Sequence, residues 1–193
     1  MLIRKTFKFE NAHIVRDCAT QRCSQNIHGH SYEVEVILHS NFLDRAGMVY
    51  DFGLMKLHIQ ELIDSFDHAI TLYSDDSQEY IDNMKAHSQR WVELPVNPSA
   101  EQFSRVFFLL IDKLLSTTKM QNSEKEVKLD SIIVHETKTG YAQCFREDAY
   151  SKLMGTIELH QILFSAQVQK EWSDPKLFEK ILQSETFINP KTV

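Results

Sequence analysis

Cysteine is scarce in this chain. Among 193 residues only Cys18, Cys23 and Cys144 occur. The number is odd and the spacing fits no disulfide framework, which excludes the small secreted scaffolds that depend on such bridges. A reducing compartment, the cytoplasm, is the expectation. Long apolar runs are also missing. The longest unbroken one, Val106 to Ile111, is far too short to cross a bilayer, and the stretch from Met1 to Phe7 lacks the apolar centre of a signal peptide. Basic residues are outnumbered, 21 against 27 acidic, for a net charge of −6. That balance argues against nucleic acid or an anionic membrane as the main partner. It leaves room for an anionic small molecule in a local basic pocket. Glycine and proline number only 5 and 4, and no internal repeat or low-complexity tract breaks the pattern.

What is present supports a folded core. Hydrophobic residues make up 42% of the chain, which excludes disorder throughout and suits one domain with an appendage. Ile3, Phe7 and Phe9 alternate with Arg4, Thr6, Lys8 and Glu10, the period of a half-buried strand, and His13 shares the apolar parity. Residues 14–27 are irregular and polar. A second strand is predicted from about His28 to Phe42, with His28, His30, Tyr32, Val34, Val36 and Leu38 on one face and Gly29 between the first two. Asp44 and Gly47 mark a turn, Met48 to Tyr50 a short strand, and Asp51 a helix cap. Met55, Ile59, Leu62, Ile63 and Phe66 then form one helical stripe.

Residues 73–92 are polar and charged and read as an exposed, partly helical insertion. Ser99 and Gln102 fit a capping box opening a second long helix with Phe103, Val106, Phe107, Leu110, Ile111 and Leu114 inward. Lys119 to Lys128 is a charged loop. Residues 129–136 and 141–146 pair as a hairpin around Lys138-Thr139-Gly140. Beyond residue 150 the spacing of Leu159, Ile162, Leu163 and Ala166 is helical, although Ile157 and Leu159 could end a strand; Ser173-Asp174-Pro175 starts a helix with Leu177, Phe178, Ile181 and Leu182 inward. Two hairpins separated by helices define an α+β domain over 1–150, with 151–193 as a partly helical C-terminal extension.

Several residues carry chemistry. Strand parity turns His28 and His30 the same way, and His13 sits on the protected face of its own strand. Three neutral imidazoles suit zinc, and three protein ligands leave a coordination position open, as catalytic zinc requires. Cys23 lies in the loop leading to that strand; it is either a small buried hydrophobe, a thiolate that accepts a proton near a metal, or a fourth ligand closing the site. Asp67 can fix the tautomer of His68 and make a proton relay, although a histidine at a helix C-terminus also simply complements the helix dipole. Glu136 has the parity of Ile132 and Val134. A carboxylate among apolar strand neighbours needs a partner, and a ligand edge with adjacent N–H groups would supply one, unless Glu136 is merely an exposed hairpin-end residue.

Six segments occur in order: Phe9-Glu10-Asn11-Ala12-His13; Cys23 before His28-Gly29-His30-Ser31-Tyr32; Gly47 to Phe52 with Lys56; Phe66-Asp67-His68; Asn97-Pro98-Ser99-Ala100-Glu101; and His135-Glu136-Thr137. Together they resemble the 6-pyruvoyltetrahydropterin synthase/6-carboxytetrahydropterin synthase family. The resemblance implies a tunnelling fold, an antiparallel sheet with two long helices whose subunits close into a shared β-barrel. It implies a homo-oligomer with active sites between subunits, and 7,8-dihydroneopterin triphosphate as substrate. By motif position, His13, His28 and His30 would hold Zn²⁺, and Cys23 would be the proton-transfer thiolate, with Cys18 as the other candidate thiol. Asp67 and His68 would form the second acid/base pair, and Glu136 would anchor the pterin, with Ser99 and Glu101 as further substrate contacts or simply a helix cap. The short loop from Cys23 to His28 and the Asp67-His68 pair favour the 6-carboxy branch, which serves queuosine biosynthesis. A 6-pyruvoyl product and a non-catalytic, zinc-stabilised pterin-binding module are the competing readings.

Overall fold

The computed structural model describes residues 1–193. Strand β1 (Leu2–His13) is followed by a short helix α1 (Gln21–Gln25) and strand β2 (His28–His39). Helix α2 (His58–Asp64) leads to β3 (Ala69–Tyr73), α3 (Gln78–His87) and β4 (Trp91–Leu94). Helix α4 (Ala100–Ser116) precedes β5 (Thr118–Lys119), β6 (Lys128–His135), β7 (Tyr141–Phe145) and α5 (Arg146–Ala149). The last part holds β8 (Leu163–Phe164), α6 (Ala166–Glu171), α7 (Leu177–Leu182) and β9 (Phe187–Ile188).

Seven strands form one sheet in the order β7-β6-β2-β1-β3-β4-β8. β1 and β2 pair antiparallel over their whole length, from Leu2 opposite His39 to His13 opposite His28. The β6–β7 hairpin adds on the β2 side, again antiparallel. On the other side β1–β3 and β3–β4 are parallel. The sheet is therefore mixed, which corrects the expectation of an antiparallel one. β3 reads Ala69-Ile70-Thr71-Leu72-Tyr73, and its first four residues are buried. Such a strand covered on both faces has no alternation to betray it. The single chain leaves the sheet open, with β7 and β8 at its two edges.

The expectation of two long helices also needs correction. α4 is long, 17 residues. The stripe from Met55 to Phe66 is buried as the spacing predicts, yet the helix carrying it is broken. A 3-10 turn, Leu54–Lys56, ends at Leu57, whose backbone (φ −88°, ψ −126°) is not helical, and α2 starts only after it. Met48 to Tyr50 form no strand, and β2 stops at His39 rather than Phe42.

α4 is the centre of the core. It is capped by Ser99, whose Oγ accepts from the Gln102 N–H at 3.4 Å. The reciprocal half of the capping box is absent, because the Gln102 side chain accepts from Arg105 instead. Phe103, Phe107, Leu110 and Leu114 pack with Phe9, Tyr32 and Phe66 from the sheet and α2. Each such side chain contributes about 1.5–3 kcal/mol of burial. The residues after 150 join the same core through Ile157, Ile162, Phe164, Trp172, Leu177 and Phe187. Arg105, only 3% exposed, ties this segment down by donating to the carbonyls of Asp148, Met154 and Gly155. Its charge is thus hydrogen-bonded rather than stranded. No helix is long and apolar enough to cross a membrane.

Candidate metal centre and active site

The β1–β2 register builds the site. His13 faces His28 directly, and Asn11 faces His30, so all three imidazoles rise from adjacent strands on one face. Gly29 permits this pairing. A Cβ there would stand 2.7 Å from the Asn11 carbonyl oxygen, a distance no side chain tolerates, so only glycine lets the two strands meet at the histidines. The rings lie 4.6 Å (His13–His28), 5.2 Å (His28–His30) and 5.5 Å (His13–His30) apart, centroid to centroid. One nitrogen from each falls within 4.8 Å of the others. Tetrahedral ligation at the usual Zn–N length needs about 3.3 Å between nitrogens, so small ring rotations complete the set.

Backbone carbonyls select the tautomers. His13 Nδ1 is 2.6 Å from the Pro98 oxygen and His28 Nδ1 is 3.0 Å from the Asn26 oxygen. A carbonyl only accepts, so both Nδ1 atoms carry the hydrogen and both Nε2 lone pairs are free to ligate. His13 is fully buried. Burial depresses its pKa to about 4 against the opposing bond to Pro98, and His28 and His30 add to the depression. It is therefore the neutral imidazole that a metal requires. The donor set, its tautomers and its burial all fit a divalent metal such as zinc.

Glu136 and Tyr32 complete the floor. Glu136 Oε1 lies 3.8 Å from His30 Nε2 and 3.4 Å from the Tyr32 hydroxyl. The hydroxyl is also 3.4 Å from His13, and the Tyr32 ring stacks on Phe9 at 4.8 Å. Burial, reinforced by Glu136, pushes the phenol well above its ordinary range, so it remains a proton donor. Sequence reasoning counted Tyr32 as core only. The signal that marks it is the parity it shares with His28 and His30.

Cys23 sits in α1, anchored by the Val15 N–H to Cys23 carbonyl bond of 3.1 Å. Its thiol is pushed up by burial first and by Cys18 and Glu136 after that. Its sulfur is not among the clustered ligand atoms, and this speaks against a closed four-ligand site. Ser99 and Glu101 open α4 directly after Pro98, whose carbonyl holds His13.

Asp67 and His68 lie elsewhere in the chain's own architecture. Asp67 Oδ1 accepts from the Glu10 N–H and Oδ2 pairs with His68 Nδ1, both at 2.7 Å. The His68 N–H donates to the Glu10 carbonyl, also at 2.7 Å. Glu10 belongs to the outward parity of β1 and its carboxylate takes the Ser31 hydroxyl. The His68 side chain remains 75% exposed. The pair is thus formed as expected, but no contact joins it to the three histidines.

Residues 2–147 match the family model described as 6-pyruvoyl tetrahydropterin synthase. The chain belongs to that family. It is accordingly an enzyme of the lyase class. A relative from Helicobacter pylori strain J99, named 6-carboxy-5,6,7,8-tetrahydropterin synthase, is 41% identical over 96% of this chain and 93% of its own length. One of the same name from Aquifex aeolicus is 28% identical over 73% of this chain and 95% of its own. Among solved structures, an uncharacterized protein from Wolinella succinogenes superimposes with a TM-score of 0.60 at 19% identity, covering 76% of this chain and 98% of that one. The 6-pyruvoyl tetrahydropterin synthase of Caenorhabditis elegans does so with 0.53 at 20% identity, over 75% and 94%. These two structures share the fold.

Proposed function

We propose that this chain converts 7,8-dihydroneopterin triphosphate to 6-carboxy-5,6,7,8-tetrahydropterin, with water consumed and acetaldehyde and triphosphate released, as a cytoplasmic step toward queuosine. The observation that carries the reading is the three-histidine cluster, with Nε2 of His13 and His28 free to ligate, set beside Glu136. The name of the Helicobacter pylori relatives supports the choice of product. Zinc held by His13, His28 and His30 would supply Lewis acidity toward the oxygens of the substrate side chain.

The chain's own residues then have distinct tasks. Glu136 accepts hydrogen bonds from the pterin's adjacent N–H groups, a pairing that a carboxylate beside the Tyr32 hydroxyl is placed to make. Ser99 and Glu101, at the start of α4 next to Pro98, would add further substrate contacts. Cys23 removes a proton from the substrate side chain as thiolate, and His68, oriented by Asp67, returns one. Since Asp67 and His68 do not reach the histidines of their own chain, the second pair is supplied by a neighbouring subunit of a homo-oligomer.

A second reading, the 6-pyruvoyl product, is favoured by the family's own description. Incubation with 7,8-dihydroneopterin triphosphate and identification of the pterin by mass separates the two. A 6-carboxy product with acetaldehyde is expected. A 6-pyruvoyl product assigns the chain to the sister reaction, and metal binding without any turnover makes it a pterin-binding module.

A further inference from the structure

The segment after residue 150 meets the molecule where Asp67 and His68 are presented. Trp172 is buried and its Nε1 donates to Ser65 Oγ at 2.8 Å. The Ser173 N–H donates to Glu61 Oε1 at 2.5 Å. Phe164 packs edge-on against Phe66, ring centroids 6.1 Å apart. These contacts all fall on the last turn of α2 and the residues just after it.

Arg90 links that turn to the tail. It lies just before β4, and its carbonyl accepts from the Ile70 N–H at 3.2 Å. Its guanidinium donates from Nε to the Asp67 carbonyl at 2.8 Å and from Nη2 to the Asp64 carbonyl at 2.7 Å. The Asp64 carbonyl also accepts from the Asp67 N–H at 3.0 Å, so Arg90 reinforces the turn that closes α2. The remaining nitrogen, Nη1, pairs with Glu171 of α6. A planar five-donor fork suits this three-way contact in a way an ammonium does not. Asp67, His68, Arg90, Glu171 and Trp172 are thus walls of one cleft.

The loop needs such support. His68 has φ +50°, the left-handed region that costs a side-chain-bearing residue about 1–2 kcal/mol. Its own side chain is largely exposed, so packing does not hold it. What holds it is the backbone bond to Glu10, the buried Asn11 amide that donates to the carbonyls of Phe66 and Ala69 on either side, and Arg90 on the Asp67 carbonyl.

We infer that the C-terminal segment sets the acid/base pair in place, with Arg90 as a positioning residue that passes the anchorage of Glu171 to the loop carrying Asp67 and His68. The inference rests on the role given to His68 under the proposed function. It assigns a task to residues outside the span that defines the family.

Two measurements on the full-length, metal-loaded chain test it. In Arg90→Ala, kcat for dihydroneopterin triphosphate is expected to fall about tenfold or more, with KM and metal content unchanged. Arg90→Lys should recover little of the loss, and Glu171→Gln should show a milder form of it. Against a His68→Ala background, Arg90→Ala should cost nothing further, since the group it positions is gone. An equal loss in both backgrounds overturns the inference. Hydrogen exchange supplies a readout without turnover. The amides of Asp67 and His68 should exchange about tenfold faster in Arg90→Ala while α4 stays protected, and Glu171→Gln tests the same point should Arg90→Ala not fold. Unchanged exchange at those amides also overturns it. Absence of turnover in the unsubstituted chain would instead count against the proposed function.

Discussion

At the scale of single residues, His13 and Cys23 behave in opposite ways. Burial keeps the His13 imidazole neutral and ready to ligate, and it pushes the Cys23 thiol above its ordinary range. A thiol whose pKa is raised is mostly uncharged at pH 7. Alkylation of Cys23 by iodoacetamide in the metal-free chain should therefore be slow at pH 7 and accelerate as the pH climbs through the raised pKa. Rapid labelling at pH 7 would show the thiolate already formed. Cys23→Ala should retain its metal and lose turnover by about a thousandfold, within the range for an acid/base group. Full activity in that variant would remove Cys23 from the chemistry and leave Cys18 as the candidate. The three histidines were legible because parity on two strands is a strict rule. The Pro98 and Asn26 carbonyls that fix their tautomers were not, since a backbone oxygen leaves no mark in a sequence.

At the scale of elements, the β1–β2 pair matters most. Gly29→Ala puts a methyl group against the Asn11 carbonyl, a backbone atom that cannot swing aside. The strands must part at the level of His13 and His28. A loss of about 1–3 kcal/mol is expected, measured by thermal or urea unfolding, with metal affinity lowered as well. A variant as stable and as metal-binding as the original would mean that the register tolerates an opening there. β1, β2, the β6–β7 hairpin and α4 follow the sequence pattern because each has one wet and one dry face, or a clear helical stripe. β3 escaped because a strand covered on both faces shows no alternation, and β4 because its alternation, Val92 and Leu94 inward, lasts only four residues. The break at Leu57 escaped because the apolar stripe from Met55 to Phe66 runs through it unchanged. Cys23 was placed in an irregular loop, yet it stands in the single turn of α1, too short for any period to reveal.

At the scale of the whole molecule, the single chain presents two half-sites. The histidines, Tyr32 and Glu136 cluster on one side of the β1–β2 pair. Asp67 and His68 stand on the outward parity beside Glu10, held from behind by Arg90 and the C-terminal segment. Sequence order could name both halves but could not show that one chain keeps them apart. If subunits supply complementary halves, mixing Cys23→Ala with His68→Ala under subunit exchange should raise turnover well above the residual activity of either variant alone. No recovery, with exchange verified, would place both halves in one subunit. The central claim is that the three-histidine centre holds the metal on which turnover depends. It is tested most directly by stripping the chain with a chelator, assaying triphosphate release from 7,8-dihydroneopterin triphosphate, and adding zinc back. Release should vanish on stripping and return with about one zinc per chain, and His28→Ala should not be rescued. Undiminished release from the stripped chain, or full rescue of His28→Ala, would contradict the account.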